Sequence, residues 1–445
     1  MQYLAFTRWP RQLLVQLAVI CLMMLPLAAC GGGGGGSSSS GGGGTTSGPV
    51  TLTYWAWIPG IGQQVALFNQ SHSNIHVNWV NVGSGTTEYD KLYTAIKANN
   101  EPDLAEVEFQ YLPTFETTGA LVDLAPYGAA SVKDQFVPYT WSQVLLGNSI
   151  FAIPQDTGPM GLWYRQDIFQ KYNLPVPTTW AQFADDAAKL HAADPNEYIT
   201  DFPPKQPGQF MGYVWQVGGR PFNISGQSWK VSINNPQAQQ VASYWQELLN
   251  KKLVKTEPDF TNAWYRDLQT GAVATWVGAA WGAGTLEANA PQASGKWRAA
   301  LLPQWQAGQS ISSNWGGSST VVFKSTKHLK EATEFAEWIS NNEQSAEMEF
   351  KNGGYPCLLS ALNSSTMNGP VPYFGNQVIN DIFKKSASEV DTGFKWGPTV
   401  NQVYTDMGDD FANAINGRGT LSDALNTLQQ QTVTFMQKQG FSVTT

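Results

Sequence analysis

The chain has 445 residues, a formal net charge of −8 and only 13% charged residues, about half the share of an average soluble protein. A length of this order calls for two or three packed cores, and the acidic balance excludes the basic footprint of a nucleic-acid binder. The 18 Trp, 16 Tyr and 21 Phe beside so few charges suit a cleft made for flat, neutral, hydroxylated partners better than one made for ions.

In chain order, the first segment reads as an export signal. Arg8 and Arg11 form a positive stretch, residues 13–27 are apolar but short for a membrane span, and Leu27-Ala28-Ala29-Cys30 follows. This spacing resembles the lipobox of bacterial lipoproteins, which implies removal of residues 1–29 and acylation of Cys30. Residues 31–44 are only Gly and Ser, a flexible polymer without core-forming side chains, and the tether is taken as residues 30–49. Cys21 leaves with the signal, so Cys357 is the one thiol free to pair and no internal disulfide is expected. A buried small hydrophobe is the expected role of Cys357. His72, His76, His191 and His328 have no zinc spacing, and no cofactor fingerprint is present, so neither a metal nor a cofactor is expected.

Beyond the tether, strand and helix signals alternate. Residues 51–57 read as a strand, the Pro59-Gly60 break leads into a helix, and residues 75–82 form a second strand rich in β-branched side chains. Residues 87–99 carry Tyr89, Leu92, Tyr93 and Ile96 on one helical side, and residues 102–108 give a third strand. This order predicts a parallel sheet with helical faces. A second set follows: strand 160–164, a helix over 179–192 capped at residues 177–179, a helix over 234–249 behind Asn234-Asn235-Pro236, and strands near 275–277, 296–303 and 320–323. Helices are expected at 331–339 and 343–350, and the tail over 404–437 reads as largely helical.

The fragments then line up. The opening Thr51-Leu52-Thr53-Tyr54-Trp55-Ala56-Trp57 is followed by Glu101-Pro102-Asp103-Leu104 and Glu108-Phe109-Gln110-Tyr111-Leu112. Later come Gly119-Ala120-Leu121-Val122-Asp123-Leu124, Phe151-Ala152-Ile153-Pro154, Leu162-Trp163-Tyr164-Arg165, Leu174-Pro175-Val176-Pro177-Thr178-Thr179-Trp180, and Gly271-Ala272-Val273-Ala274 ahead of Trp281. In this order they resemble the family 1 extracellular solute-binding proteins of bacterial carbohydrate ABC importers, the sugar-binding group that includes maltose-binding protein; the resemblance runs from Thr51 to about Gln437. It implies an α/β, two-lobed periplasmic-binding-protein-like fold with a central cleft and several hinge crossings, near residues 156–159, 313–316 and 355–358. Lobe one is expected at 50–155 and 316–355, and lobe two at 156–315 and 356–445, the last part helical.

The resemblance also implies a binding role without catalysis: capture of a neutral sugar, an oligosaccharide in view of the many aromatics, and its delivery to separate membrane and ATPase subunits by lobe closure. The expected protein is a monomer anchored by lipid on the outer face of the cell membrane. Trp281, Trp315, Trp57, Trp55 and Trp396 are the candidate platforms, since an aromatic face covers the C–H face of a pyranose. Asp156, Glu108, Gln110, Asn314 and Tyr355 are the candidate partners for hydroxyls, and Asp103 reads as a structural cap. Two alternatives stand beside this: a binding protein for a polyamine, amino acid or other small solute, and a secreted glycoside hydrolase using Glu108 and Asp156 as its carboxyl pair.

Overall fold

The computed structural model describes residues 48–445; the signal segment, Cys30 and most of the tether lie outside the described residues. Eight strands form two sheets: β1 (Val50–Trp55), β2 (Ile75–Val80), β3 (Leu104–Glu108), β4 (Ala152–Pro154), β5 (Met160–Arg165), β6 (Thr275–Ala279), β7 (Trp297–Leu301) and β8 (Ser318–Val322). The first sheet has the order β2-β1-β3-β8-β4 and the second the order β6-β5-β7.

The expected parallel sheet is only partly found. β1 runs parallel to β2 and β3, with helices crossing between them, but β8 is antiparallel to β3 and β4, and the second sheet is antiparallel throughout. The reason is the path of the chain. β8 re-enters the first sheet from the second one, so it needs no helical crossover and arrives in the opposite direction.

Local sequence explains the elements. In β1, Leu52 and Tyr54 are fully buried while Thr51 is exposed, the alternation of a strand with one covered face. Helix Ile61–Ser71 buries Ile61, Gln64, Val65 and Phe68, one stripe at helical spacing. Thr179 opens helix Trp180–Ala193 by accepting the Gln182 amide, and Asn235 does the same for Ala238 at helix Pro236–Asn250. The tail forms two antiparallel-packed helices, Val400–Ile415 and Leu421–Lys438, because Gly417 and Gly419 take positive φ between them and Thr420 with Asp423 caps the second.

The aromatic load is largely structural. Trp163, Trp180, Trp215, Trp245, Trp264, Trp276 and Trp297 are among the largest fully buried side chains. Their rings supply the core area of a described chain whose one cysteine, Cys357, is free and buried. Asp103 is structural, as expected: its carboxylate accepts the Thr53 amide at 2.8 Å and the Thr326 hydroxyl at 2.5 Å.

Three segments connect the two sheets. One leads from β4 into β5 and one from β7 into β8; the third leaves helix Glu343–Lys351, packed on the first sheet's helices, for helix Ile379–Ser388, packed on β5 and β7. They are tied to one another by bridges Asp156↔Pro356 and Pro159↔Asn314.

Candidate functional site

β1 and β3 lie side by side with Trp55 opposite Ala105, so the residues after both strands emerge at one edge of the first sheet. That edge is where open α/β sheets place ligands. Here it faces elements of the second sheet across a cavity of about 600 Å³. Trp57, Glu106, Glu108, Asp156 and Ser318 line it from the first sheet, Gln206, Phe260 and Trp281 from the second, and Trp315 from a crossing.

The carboxylates are held by local bonds. Glu106 and Glu108 stand two apart on β3 and share a face. One oxygen of Glu106 accepts the Trp57 and Ile58 amides at 2.9 and 3.0 Å. Glu108 accepts the Tyr89 hydroxyl at 3.0 Å and the Gln110 side-chain amide at 2.9 Å. Asp156 accepts both the amide and the hydroxyl of Ser318 at 2.6 Å through one oxygen.

Burial is the first cause of their shifted acidity. It pushes Glu108 up to about 7 against the pull of the Tyr89 and Gln110 bonds, with the Asp156 charge adding a little. It raises Glu106 well above the usual carboxylate range, the Asp156 charge again adding, while the Trp57 and Ile58 amides oppose. Asp156 is itself raised by burial and restrained by Ser318. No Lys or Arg is among the described residues that line the cavity. The arrangement therefore offers hydrogen-bonding carboxyls with the rings of Phe260, Trp281 and Trp315 opposite.

The aromatic side is a cluster. Trp281 donates its indole N–H to the Trp315 carbonyl at 3.0 Å, and the two rings meet edge to face at 5.2 Å. Trp57 meets Tyr89 edge to face at 5.7 Å. The turn after Trp315 needs glycine. Gly317 has φ +87°, and a Cβ there would lie 2.8 Å from the Phe109 ring and 3.0 Å from the Thr157 Cα.

The structure thus brings Trp57, Glu108, Asp156, Trp281 and Trp315 around one cavity. Gln110 lines a neighbouring space of about 470 Å³ that shares Glu108, Gln206 and Trp315 with the first. Tyr355 lines a second neighbouring space of about 490 Å³ that shares Gly284, Asn352 and Gly353 with the main cavity, and its buried hydroxyl donates to Asn380 at 2.6 Å. Trp55, Asn314 and Trp396 line none of these spaces. Trp55 packs against the core at the end of β1 and does not line the cavity. Asn314 is buried and bonded within the crossings: its oxygen accepts from the Tyr139 hydroxyl at 2.9 Å, the Thr157 hydroxyl at 3.2 Å and the Gly158 amide at 2.9 Å, and its nitrogen donates to the Gly316 carbonyl at 2.6 Å. Trp396 is buried against Phe394, Trp215 and Tyr404, meeting each edge to face.

Glu106, Phe260 and Gln206 escaped the sequence reading. Glu106 had a signal, its spacing of two from Glu108 on a strand. Phe260 and Gln206 lie in irregular segments, and no local pattern points to them.

Comparison with known proteins follows from this geometry. Residues 48–346 match the family model described as bacterial extracellular solute-binding protein. The chain is similar to a lactose-binding protein of Rhizobium radiobacter, 23% identical over 405 residues, covering 85% of this chain and 92% of that one. It is similar to an arabinooligosaccharide-binding protein of Bacillus subtilis, 23% identical over 401 residues, covering 86% and 89%. Among solved structures it resembles the ABC transporter associated binding protein from B. animalis subsp. lactis in complex with β-1,6-galactobiose, with TM-score 0.79, 28% identity, and 89% of this chain and 100% of that one covered. It also resembles the galacto-N-biose-/lacto-N-biose I-binding protein of the ABC transporter from Bifidobacterium longum in complex with lacto-N-biose, with TM-score 0.81, 27% identity, and the same coverage.

Proposed function

The chain belongs to the bacterial extracellular solute-binding proteins, and on that premise we propose that it captures a neutral oligosaccharide between its two lobes and delivers it to an ABC importer. One observation carries the ligand class: the cavity sets carboxyl acceptors and Trp57 on one side and the rings of Phe260, Trp281 and Trp315 across from them, with no Lys or Arg among its described lining. Hydroxyls find acceptors there, C–H faces find rings, and an anionic ligand finds no counter-charge.

Delivery follows from the position of the site. A ligand that touches both lobes stabilises the arrangement in which they meet, and the closed shape is what a membrane partner can recognise. We take lobe one as residues 50–155 and 316–355, and lobe two as 156–315 and 356–445. The protein acts outside the cytoplasm, held to the membrane by lipid on Cys30, as a monomer and without hydrolysing its ligand. No helix among the described residues is long and apolar enough to cross a membrane, so this reading gives attachment to the lipid.

The clustered carboxyls Glu106, Glu108 and Asp156 favour a polyamine as the second reading, since an aromatic box with acids also suits a cation. Thermal unfolding of residues 45–445 against β-1,6-galactobiose, lacto-N-biose, lactose, arabinooligosaccharides and spermidine separates the two. A melting temperature raised by a sugar series, with no smaller sugar released, supports the proposal. A rise with spermidine alone replaces the ligand class, and release of monosaccharide restores the hydrolase.

A further inference from the structure

Phe260 is the least ordinary residue in the cavity. It is a bulky side chain with φ +56°, in the left-handed region that such residues rarely adopt. It is also one of the few large apolar side chains left exposed, at 38%. A residue that served only the core would bury its ring, and a loop free to choose would place glycine or asparagine at this backbone position.

The surroundings show what holds it there. The Phe260 ring stands 6.2 Å from Trp281 at 38° and 6.3 Å from Trp315 at 53°. On its other side it meets Trp264 at 5.3 Å and Trp276 at 6.2 Å, both fully buried. The neighbouring Asp259 accepts the Gln206 amide at 2.9 Å, and Gln206 lines both the main cavity and the adjoining space. The strained position therefore lifts one ring out of an aromatic core and aims it into the cavity, beside Trp281 and Trp315 and across from the carboxyl side.

Building on the oligosaccharide reading, we propose that Phe260 is a ligand-contacting and specificity-determining residue. Its ring covers the apolar face of a sugar ring whose hydroxyl edge is turned to Glu106, Glu108 and Asp156. Free protein leaves the ring partly in water, and the ligand completes its burial. The strain is a cost of the unliganded fold that serves capture. Gln206, Thr285 and Asn289 also line the cavity, so hydroxyls at the edges of the covered sugar find polar partners on both sides, and a ligand that carries a hydroxyl on the face Phe260 covers is disfavoured.

The test compares wild type, Phe260→Asn and Phe260→Tyr by thermal unfolding of the free protein and by calorimetric titration with β-1,6-galactobiose and arabinotriose. Asn tolerates the left-handed conformation, so the Asn variant is expected to melt within about 2 °C of wild type. Its affinity for the sugar that binds wild type is expected to fall about tenfold or more, and the Tyr variant, which keeps a ring, is expected to stay within about threefold. A melting temperature lowered by more than about 5 °C with affinity intact makes Phe260 a structural prop and overturns the proposal. Equal affinity in the Asn variant overturns it as well. Silence of wild type towards every sugar overturns the oligosaccharide reading first, an outcome distinct from failure of the Asn variant alone.

Discussion

Replacing Gly284, at the wall of the cavity, by alanine opposes lobe closure. Gly284 lies inside helix Gly282–Asn289, where glycine is less stable than alanine by roughly 0.5–1 kcal/mol. Its presence is explained by what faces it. A Cβ at this position would lie 2.6 Å from the Cα of Gly353, which follows helix Glu343–Lys351 on the other lobe, and 3.1 Å from its carbonyl oxygen. Ordinary carbon contacts need about 3.5–4.0 Å, so the lobes must part by about 1 Å at the cavity wall to admit one methyl group. Overpacking of this kind costs about 1–3 kcal/mol. That cost falls on the closed state, lowers its share of the population, and weakens apparent affinity by about 5- to 150-fold. The free protein can relieve the clash by opening and keeps the helical gain, so its melting temperature is expected to be unchanged or higher. Titration calorimetry with the sugar that stabilises wild type, paired with differential scanning calorimetry of the free protein, measures both. Unchanged affinity in Gly284→Ala would refute the role of this contact, and so would a free protein destabilised as much as the complex.

Other outcomes follow from single contacts. Trp281→Ala removes a cavity ring and the bond to the Trp315 carbonyl, and affinity is expected to drop at least about tenfold in the same titration, while Trp281→Phe, which keeps a smaller ring without the N–H, loses about 1 kcal/mol or more. Asn314→Ala strands the Gly158 amide inside the hinge, while the Tyr139 hydroxyl keeps its bond to Thr157, and urea unfolding is expected to show a loss of about 1–3 kcal/mol. Asp201 and Asp259 are each pushed up to about 7, chiefly by burial, with the Asp259 charge the next cause for Asp201. Between an unfolded value of about 4 and that folded value, the unfolded chain releases protons that the folded chain keeps. Stability is therefore expected to fall as pH rises from about 4 to about 7 and to level off above. Asp201, only 1% exposed, contributes at most on the order of 4 kcal/mol, and Asp201→Asn should flatten that slope in melts taken at successive pH values.

The sequence disclosed what is periodic and hid what is convergent. Helices with a clean stripe, such as Ile61–Ser71, and capped starts, such as Thr179 and Asn235, were legible because the information lies within a few neighbouring residues. The antiparallel placement of β8 was not, since nothing in Ser318–Val322 records which direction its partners run. Site residues divide the same way. Trp57, Glu108 and Asp156 end strands or follow them, where the fold class itself points. Asn314 and Tyr355 were placed near the right crossings, but their hydrogen bonds are made inside the hinge, with partners 156 and 25 positions away for Gly158 and Asn380. Tryptophan number was a poor guide to the cavity, because a buried ring and a ligand platform have the same composition.

The Asn314 amide bears on how motion is shared between the lobes. It joins Thr157 and Gly158 on one connection to Gly316 on another, while the Thr157 amide donates to the Tyr355 carbonyl and the Cys357 amide to the Gln155 carbonyl on the third. Three unlinked connections would each bring torsional freedom that an arriving sugar must freeze. Laced together, they form a single ribbon whose slack was removed when the chain folded. Opening and closing then follow one coordinate, like the bending of a leaf spring, and the entropy of the hinge has little left to subtract from the grip on the ligand.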